Sequence, residues 1–221
     1  MAVGIVSGLR RELDCLDLQL YQRTFAGVGP DRAAAGAREL VVAGATALVS
    51  YGVAGGLAGD VPAGTVVLAT GVIHDERTFE TDAPWRERLR TALASELNVV
   101  EGVMAGVDRM VPSPAAKGEL HVQTSALACD MESHAVAQVA VELGVPFVVV
   151  RAISDPAGQD VPKWVLRCVT PDGDVNIKPL LLALARRPWN LPVLMRLARE
   201  SKLAFASLRG VARLAGPGFG R

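Results

Sequence analysis

The chain has 221 residues, of which 23 are basic and 23 acidic, and half of all residues are hydrophobic. This length predicts one domain, or one domain with an appendage, and the apolar content excludes a disordered chain. The balanced charge gives no reason to expect a nucleic-acid partner. The charge is nevertheless divided along the chain. Residues 178–221 carry nine Lys or Arg and one acid, so this segment has a net charge of +8 and residues 1–177 have −8.

The three cysteines and three histidines are widely separated in the sequence. Their spacing matches neither a disulfide framework nor a metal-ligand motif, so we predict that Cys15, Cys129 and Cys168 are core residues and that no metal is bound. We find no charged leader before a long apolar stretch, and no window of about 18 residues is uninterruptedly apolar. We therefore expect a cytoplasmic protein without a transmembrane segment.

Short apolar runs rich in Val and Ile alternate with alanine-rich segments of helical period. The predicted strands are 3–6, 21–27, 47–51, 66–69 and 147–150, and the predicted helices are 31–43, 84–97 and 133–143. This alternation predicts an α/β fold with a mostly parallel or mixed sheet and helices on both sides. Such sheets bind ligands at the carboxyl ends of their strands, so the residues found there are the candidate site residues.

The C-terminal segment, residues 178–221, has a different pattern. Its prolines divide it into two predicted helices, about 179–187 and about 191–215, and the second has an apolar face and basic residues over much of the rest. A basic amphipathic helix of this kind either lies on an anionic membrane surface or packs on its own domain with its charges solvated. The sequence predicts a basic helical extension after a domain of residues 1–177, and it leaves both interpretations open.

The first predicted strand ends at a glycine turn with charged residues behind it. Gly8 is followed by Arg10, Arg11 and Glu12. Backbone N–H groups at such a turn, with arginines beside them, suit an anion such as phosphate. A solvated helix start is the alternative interpretation.

A run of small residues follows the strand at 47–51. Gly52, Val53 and Ala54 open this run, and two more glycines follow them. Small residues let a backbone approach a ligand closely. The run matches neither the dinucleotide-binding nor the Walker motif, so it is weak evidence when taken alone.

Carboxylates follow a short predicted strand that ends near residue 130 and the strand predicted at 147–150. Asp130 and Glu132 open the helix at 133–143, where they can serve as a cap and a first-turn acid, or where a carboxylate can accept two hydrogen bonds from a ribose diol. Ser154 and Asp155 follow the buried strand at 147–150, where a general acid is expected and where capping of the next segment is the competing role. The sequence therefore gives each carboxylate a structural and a chemical interpretation.

Taken in order, these segments resemble the nucleoside phosphorylase family, which includes methylthioadenosine/S-adenosylhomocysteine nucleosidase. The resemblance covers about residues 3–160 and rests on four runs: Gly-Ile-Val…Glu12, Gly-Val-Ala-Gly-Gly-Leu at 52–57, Asp-Met-Glu-Ser at 130–133, and Pro-Phe-Val-Val-Val-Arg-Ala-Ile-Ser-Asp at 146–155. Within the family the chain looks most like the hopanoid-associated phosphorylases, which share the Asp-Met-Glu-Ser-His element and a Leu/Arg-rich extension. The resemblance implies a three-layer α/β/α sandwich with a mixed central sheet, and a homodimer.

The resemblance also implies roles for individual residues in cleaving an N-glycosidic bond to adenine. Asp155 matches the residue that protonates purine N7, and Ser154 orients it. Glu132 matches the carboxylate that holds the ribose hydroxyls, Met131 packs beneath the sugar, and the loop that begins at Gly52 lies against the substrate. No cofactor is implied. The chemistry agrees with these roles, because the departing base needs a proton and the oxocarbenium-like sugar benefits from a nearby anion.

Two departures from the family pattern bear on the substrate. Val53 stands where the nucleosidase has a serine, which removes a hydroxyl near the nucleophile. Residues 105–124 align poorly, and the aromatic residue that stacks on the base is not found there. The outer contacts of the purine are therefore not assigned by the sequence.

The nucleophile is either water or phosphate. Glu12 matches the nucleosidase carboxylate that activates water, whereas Arg11, with Arg10 beside it and Gly8 before it, lies near the phosphate-binding arginine of the phosphorylases. A second arginine of the phosphorylases is replaced here by Ser50. The sequence interpretation favours phosphorolysis, with inorganic phosphate as the co-substrate.

The function predicted from the sequence is phosphorolytic release of adenine from adenosylhopane in hopanoid biosynthesis. This substrate is an adenosine whose 5′ end bears a pentacyclic lipid, so the prediction favours docking of residues 178–221 on the inner face of the membrane. One alternative is hydrolysis of methylthioadenosine or S-adenosylhomocysteine. Another, from a different class, is a non-catalytic nucleoside-binding module associated with a membrane.

Overall fold

The computed structural model describes residues 2–17, 21, 24–166, 168, 176, 182 and 186–221. The strands are β1 Val3–Ser7, β2 Thr24–Ala26, β3 Ala47–Gly56, β4 Val66–His74, β5 Arg77–Glu80, β6 Val99–Gly106, β7 Ala128–Asp130 and β8 Phe147–Asp155. The helices are α1 Arg10–Leu13, α2 Pro30–Val42, α3 Ala83–Leu93, α4 Pro114–Thr124, α5 Ser133–Leu143, α6 Lys163–Leu166 and α7 Leu191–Ala215. A 3₁₀ turn, Pro188–Asn190, leads into α7.

The strands form one mixed sheet that closes on itself at one side. β2, β1, β3 and β8 are parallel neighbours, and β8 pairs with β4 in the antiparallel sense. β4, β6 and β7 continue in parallel, and β7 returns to pair antiparallel with the end of β3. β5 lies antiparallel on β4. The predicted mixed sheet is confirmed, and its closure gathers the carboxyl ends of several strands around one point.

Apolar cores lie on both faces of the sheet. α2 and α5 cover one face, and α3 and α7 cover the other. Successive strand residues alternate between the two, as at Val148 and Val149, because side chains along a strand point to opposite faces. The three-layer α/β/α prediction is thus confirmed. Cys15, Cys129 and Cys168 are buried with free thiols, as predicted.

The strands run further than the apolar pattern predicts. β3, β4 and β8 continue to Gly56, His74 and Asp155, because their glycines and polar residues stay in the hydrogen-bonded ladder beyond the apolar runs. Residues 24–26 of the strand predicted at 21–27 form β2, and the helix predicted at 84–97 ends at Leu93. β5, β6, α4 and α6 have no counterpart among the predictions. The helix predicted at 179–187 falls almost entirely outside the described residues.

The two halves of α7 have different surroundings. In the second half, Leu208 and Val211 belong to the same core as α3, and the Tyr51 hydroxyl donates to the Leu208 carbonyl at 2.7 Å. The second half of α7 therefore packs on its own domain, which is one of the two interpretations that the sequence left open. The first half exposes apolar side chains, with Trp189 just before it 71% exposed and Met195 64% exposed. Among the described residues, we find no helix that is both long enough and apolar enough to cross a bilayer.

Candidate active site

A cavity of about 230 Å³ lies where the carboxyl ends of β1, β3, β7 and β8 meet. It falls slightly below the range of roughly 300–1,000 Å³ that is usual for ligand pockets, which suits a small ligand. Most of the site residues predicted from the sequence line it: Gly8, Glu12, Val53, Ala54, Met131, Glu132, Ser154 and Asp155. The fold therefore brings four separate sequence motifs to one place.

Glu12 is a buried carboxylate at one end of this cavity, on the single turn of α1. Leu9 N–H donates to its Oε2 and Val53 N–H to its Oε1, each at 2.8 Å. Burial raises the pKa of Glu12 to about 7, and the nearby Arg151 guanidinium and the two N–H donors only partly oppose that rise. A carboxyl group with this pKa exchanges a proton near neutral pH, as a general base does.

Gly52 provides the space in which Glu12 meets Arg151. A Cβ at this position would lie 2.3 Å from Arg151 Nη1 and 2.5 Å from Glu12 Oε1, so any larger residue would displace both groups. Arg151 itself is fully buried on β8. Its Nη1 has no hydrogen-bond partner among the residues that the structure describes, although it is inaccessible to solvent.

The other side of the Arg151 guanidinium is fully engaged. Nη2 pairs with the Asp130 carboxylate and donates to Ser50 Oγ at 2.7 Å, and Nε lies 3.3 Å from Ser133 Oγ. Asp130 also accepts from the Ser133 hydroxyl at 2.5 Å and from its backbone N–H at 3.3 Å. The N-cap of α5 is Glu132, and not Asp130 as one interpretation of the sequence expected. Asp130 accepts from the backbone N–H of the first helical residue and forms the ion pair that holds Arg151.

Glu132 lies beside Glu12 at the same end of the cavity. Gly29 N–H donates to its Oε1 at 3.0 Å, and Arg151 Nη2 is 3.9 Å from its Oε2. Burial raises the pKa of Glu132, and Arg151 opposes this rise. A Cβ on Gly8 would lie 2.9 Å from the Glu132 carboxyl carbon, so glycine at this turn lets the carboxylate approach the backbone of β1.

Ser154 and Asp155 lie at the other end of the cavity, where β8 stops. Ser154 Oγ donates to Asp155 Oδ1 at 2.7 Å. Lys117 Nζ donates to Asp155 Oδ2, also at 2.7 Å. Glu12 is bonded at Val53 and Asp155 lies beside Gly55, so the two carboxylates face the cavity from different points along β3.

The two arginines predicted as phosphate ligands have exposed side chains. Arg10 and Arg11 follow the glycine turn at the start of α1. The Arg11 guanidinium lies 5.2 Å from the centroid of the Phe205 ring on α7. The turn of α1 therefore directs Glu12 into the cavity and Arg11 towards the C-terminal helix.

Two buried cations and an apolar wall complete the site. No sequence pattern predicts a role for Arg151 or Lys117, and residues 105–124 have no assignment from the sequence. From that segment Val107, Met110 and Val111 line the cavity, and Lys117 approaches Asp155. Lys117 is the one buried residue of α4. Its burial is a property of the packed helix, so the sequence alone gave no signal for it.

Two of the three histidines lie together in space despite their separation in the sequence. The rings of His74 and His134 stack with centroids 3.9 Å apart and planes 15° from parallel. Asp108 Oδ1 lies 3.5 Å from His134 Nε2 and 3.9 Å from His74 Nε2. Burial and the neighbouring His74 lower the pKa of His134. Histidines that are far apart in the sequence are therefore close together in the structure, where one ligand atom each of His74, Asp108 and His134 lie within 4.8 Å of one another. The prediction that no metal is bound stays a prediction.

The charges around the cavity are unequal. Four carboxylates and two cations lie in it or against it: Glu12, Asp130, Glu132, Asp155, Arg151 and Lys117. Such a site stabilises a cation that develops between the carboxylates, and it repels an anionic ligand. The arrangement suits a reaction in which positive charge builds up on the ligand.

A sequence profile of the phosphorylase superfamily matches residues 24–167. A 5′-methylthioadenosine/S-adenosylhomocysteine nucleosidase from Shewanella pealeana is 32% identical over 136 residues, which is 52% of this chain and 59% of the relative. A nucleosidase of the same name from Anoxybacillus flavithermus is 29% identical over 51% of this chain and 57% of its own length. The chain thus matches less than two thirds of the length of these relatives.

Solved structures show the same fold. A Helicobacter pylori 5′-methylthioadenosine/S-adenosylhomocysteine nucleosidase superposes with a TM-score of 0.71 over 97% of both chains, at 19% identity. The futalosine hydrolase of the same species gives a TM-score of 0.68 over 95% of this chain and 96% of that one, also at 19% identity. A mutant of the first enzyme was solved with 5′-methylthioadenosine in its active site; it has a TM-score of 0.64 at 23% identity, over 72% of this chain and 87% of that one.

Proposed function

The chain belongs to the phosphorylase superfamily, and on this premise we propose that it hydrolyses the N-glycosidic bond of an adenine nucleoside, releasing adenine. The relatives named above are nucleosidases, which supports hydrolysis of a nucleoside of the methylthioadenosine or S-adenosylhomocysteine type. The observation that carries the proposal is the cavity with a near-neutral carboxyl group, Glu12, at one end and the Ser154–Asp155 pair at the other.

Glu12 activates the water in this proposal. As the C1′–N9 bond breaks, its electron pair passes to the purine and C1′ gains positive charge. The water oxygen bonds to C1′, and the ionised Glu12 takes the water proton. Arg151 lies buried next to Glu12 with its Nη1 shielded from solvent, and its positive charge favours the ionised form of Glu12 that accepts the proton.

The sugar and the base are held by separate carboxylates. Glu132 accepts hydrogen bonds from the ribose hydroxyls, and its charge stabilises the oxocarbenium-like sugar. Asp155, oriented by Ser154, takes a proton from solvent, to which it is partly exposed, and passes it to N7, so that adenine leaves as a neutral molecule. Glu12 then releases the water proton to solvent and becomes a carboxylate again. Met131 and the apolar side chains of 107–111 enclose the ligand.

Electrostatics support water over phosphate as the nucleophile. An anionic phosphate at the Glu12 end would meet the carboxylates of both Glu12 and Glu132, with Arg151 as the one cation at that end among the described residues. The exposed side chains of Arg10 and Arg11 do not offset this repulsion. Hydrolysis is therefore better supported than the phosphorolysis of adenosylhopane favoured in the sequence interpretation.

The direct test is adenine release from methylthioadenosine, S-adenosylhomocysteine and adenosylhopane, each with and without phosphate, with the sugar product identified by mass. The proposal expects release from a soluble nucleoside without phosphate and a free ribosyl product. Release that requires phosphate, with a ribose-1-phosphate product, would overturn the choice of nucleophile. Failure of all three substrates, with a properly folded protein, would overturn the proposed function itself.

We further propose that the start of α7 docks on an anionic membrane surface. Trp189 and Met195 are exposed beside five exposed cations, and the one acid of the segment, Glu200, is buried. The five cations are Arg186, Arg187, Arg196, Arg199 and Lys202.

Co-sedimentation with vesicles tests this docking surface. The full chain should sediment with vesicles that contain phosphatidylglycerol and not with pure phosphatidylcholine, and the double variant Trp189→Ser/Met195→Ser should lose the association. Val42→Ser, which removes an exposed apolar side chain elsewhere, serves as the control. Equal sedimentation of the double variant and the control would refute the docking surface. A chain cut after residue 177 is unsuitable for this test, since the second half of α7 belongs to the core.

A further inference from the structure

Lys117 is a fully buried lysine behind the base end of the cavity. It is the one buried residue of α4, so this helix is anchored by a charge where helices usually bury an apolar face. A buried ammonium group is costly unless its charge and its N–H donors are satisfied. The groups around Lys117 must therefore compensate its charge and accept hydrogen bonds from its ammonium group.

Among the described residues, the hydrogen-bond partners of the Lys117 ammonium group lie in one short segment of chain. Nζ is 2.7 Å from Asp155 Oδ2 and 3.0 Å from the Asp155 carbonyl oxygen. The carbonyl oxygens of Pro156 and Gln159 lie 3.1 Å and 3.4 Å away. The lysine thus binds both the side chain of Asp155 and the turn that follows it.

The Asp155 carboxylate is consequently held at both oxygens. Ser154 Oγ donates to Oδ1 and Lys117 Nζ donates to Oδ2, so rotation of the carboxylate would break two hydrogen bonds, one of them assisted by charge. Gly55 leaves little free space on the β3 side, because a Cβ there would lie 3.1 Å from Oδ2. Asp155 is 20% exposed on its side chain, and it lines the cavity.

We propose that Lys117 is a positioning residue for departure of the base. Resting on the function proposed above, this inference assigns Lys117 to the leaving group and not to the nucleophile. By fixing the Asp155 carboxylate, the lysine keeps it in line with N7 of the purine as the C1′–N9 bond breaks. Lys117 touches neither the sugar nor the water, and it acts through Asp155.

A substrate whose leaving group needs no proton separates this role from a purely structural one. p-Nitrophenyl riboside releases p-nitrophenolate, which departs as a stable anion, whereas adenine departs only with help at N7. In Lys117→Met we expect kcat for the adenine nucleoside to fall about 100-fold, with KM within about threefold of wild type. Hydrolysis of p-nitrophenyl riboside should stay within about threefold of wild type, because Glu12 and Arg151 are untouched.

Control variants make the result decisive. Arg213→Met removes an ion pair of 2.6 Å on the surface of α7, and it should leave both reactions unchanged. Lys117→Arg keeps the charge and should restore part of the adenine release. Thermal unfolding of each variant shows whether it is folded; if Lys117→Met is not, the comparison of the two substrates is made with Lys117→Gln.

Each outcome has a separate meaning. If a folded Lys117→Met variant loses both reactions by the same factor, or neither, Lys117 only supports the fold and the inference is overturned. If the wild-type protein cleaves neither the adenine nucleosides nor p-nitrophenyl riboside, it is the proposed function that fails. If the wild type cleaves only adenine nucleosides, an unchanged kcat in Lys117→Met overturns the inference, and a lower kcat with unchanged KM, partly restored in Lys117→Arg, supports it.

Discussion

The two ends of the cavity treat their carboxylates in opposite ways. At one end Glu12 and Glu132 are buried with backbone N–H donors, and burial raises the pKa of both despite the nearby Arg151. At the other end Asp155 contacts a lysine at 2.7 Å and retains some exposure. The carboxylates at the first end thus take up a proton readily, whereas Asp155 at the other end is held in an ion pair with Lys117.

This difference assigns the chemical roles better than residue identity does. A carboxylate whose burial raises its pKa more than a neighbouring cation lowers it gains from accepting a proton, which is what a base for water requires. A carboxylate held at both oxygens contributes a fixed direction, which is what recognition of a purine edge requires.

The largest expected effect is that of Glu12→Gln on turnover. Gln is similar in size but cannot take the water proton, so kcat for adenine release should fall by about 10²–10⁴-fold. Steady-state kinetics measure this effect. Asp14→Asn is the matched control, because Asp14 is an exposed carboxylate directly after the same helical turn and its loss should leave kcat unchanged. Retention of a tenth or more of wild-type kcat in Glu12→Gln would remove Glu12 from the role of base.

The same substitution should stabilise the fold at high pH. The folded-state pKa of Glu12, about 7, lies above the ordinary value of 4.5, so the folded state binds the proton more tightly than the unfolded chain does. The stabilisation from this proton is complete below pH 4.5 and is lost as the pH rises through 7. Above pH 7 wild type should therefore be less stable than at low pH by up to about 3 kcal/mol from this residue. Gln does not titrate and avoids this loss.

Urea unfolding of both proteins across this pH range measures the difference. The free energy of unfolding of Glu12→Gln, taken relative to wild type, should increase from pH 4.5 to 7 and then stay level. Glu132 also has a raised pKa, but it is present in both proteins and largely cancels. A difference that does not vary with pH would show that Glu12 ionises in the folded protein as it does in the unfolded chain.

The pH profile of turnover should show the same group. Since only the ionised Glu12 accepts a proton, kcat/KM should fall about tenfold for each pH unit below about 7. Initial rates with a soluble adenine nucleoside between pH 5 and 8 measure this limb. An unchanged rate between pH 5.5 and 7 would place the essential base elsewhere.

The sequence was most informative where local signals and function coincide. Glu12, Glu132 and Asp155 each follow a predicted strand, and strand ends of this fold meet at one edge, so their convergence could be predicted. The layers of the fold followed from alternating periods of apolar residues in the same way.

What could not be predicted depends on pairing between distant segments. Lys117 meets Asp155 across 38 residues, and Arg151 meets Ser50 across 101, and no local pattern encodes either contact. β6 was missed because Glu101 and Gly102 interrupt its apolar run, although the strand is paired on both sides. Arg11 shows the converse, since a motif beside a glycine turn suggested an anion site while the turn of α1 directs the side chain to Phe205.

The smallest expected effect is that of the exposed arginines. Arg11→Ala removes a contact with the Phe205 ring worth about 0.5–1 kcal/mol at an exposed site, and Arg10→Ala removes only a solvated charge. Adenine release by either variant should stay within about twofold of wild type, with or without added phosphate. Parallel assays of both variants at several phosphate concentrations measure this. A phosphate-dependent rate that disappears in Arg11→Ala would mean that the helical turn reorients on binding. In that case the anion-binding interpretation of the glycine turn would be restored, and the contrast between the two ends of the cavity would have to include a third, basic region.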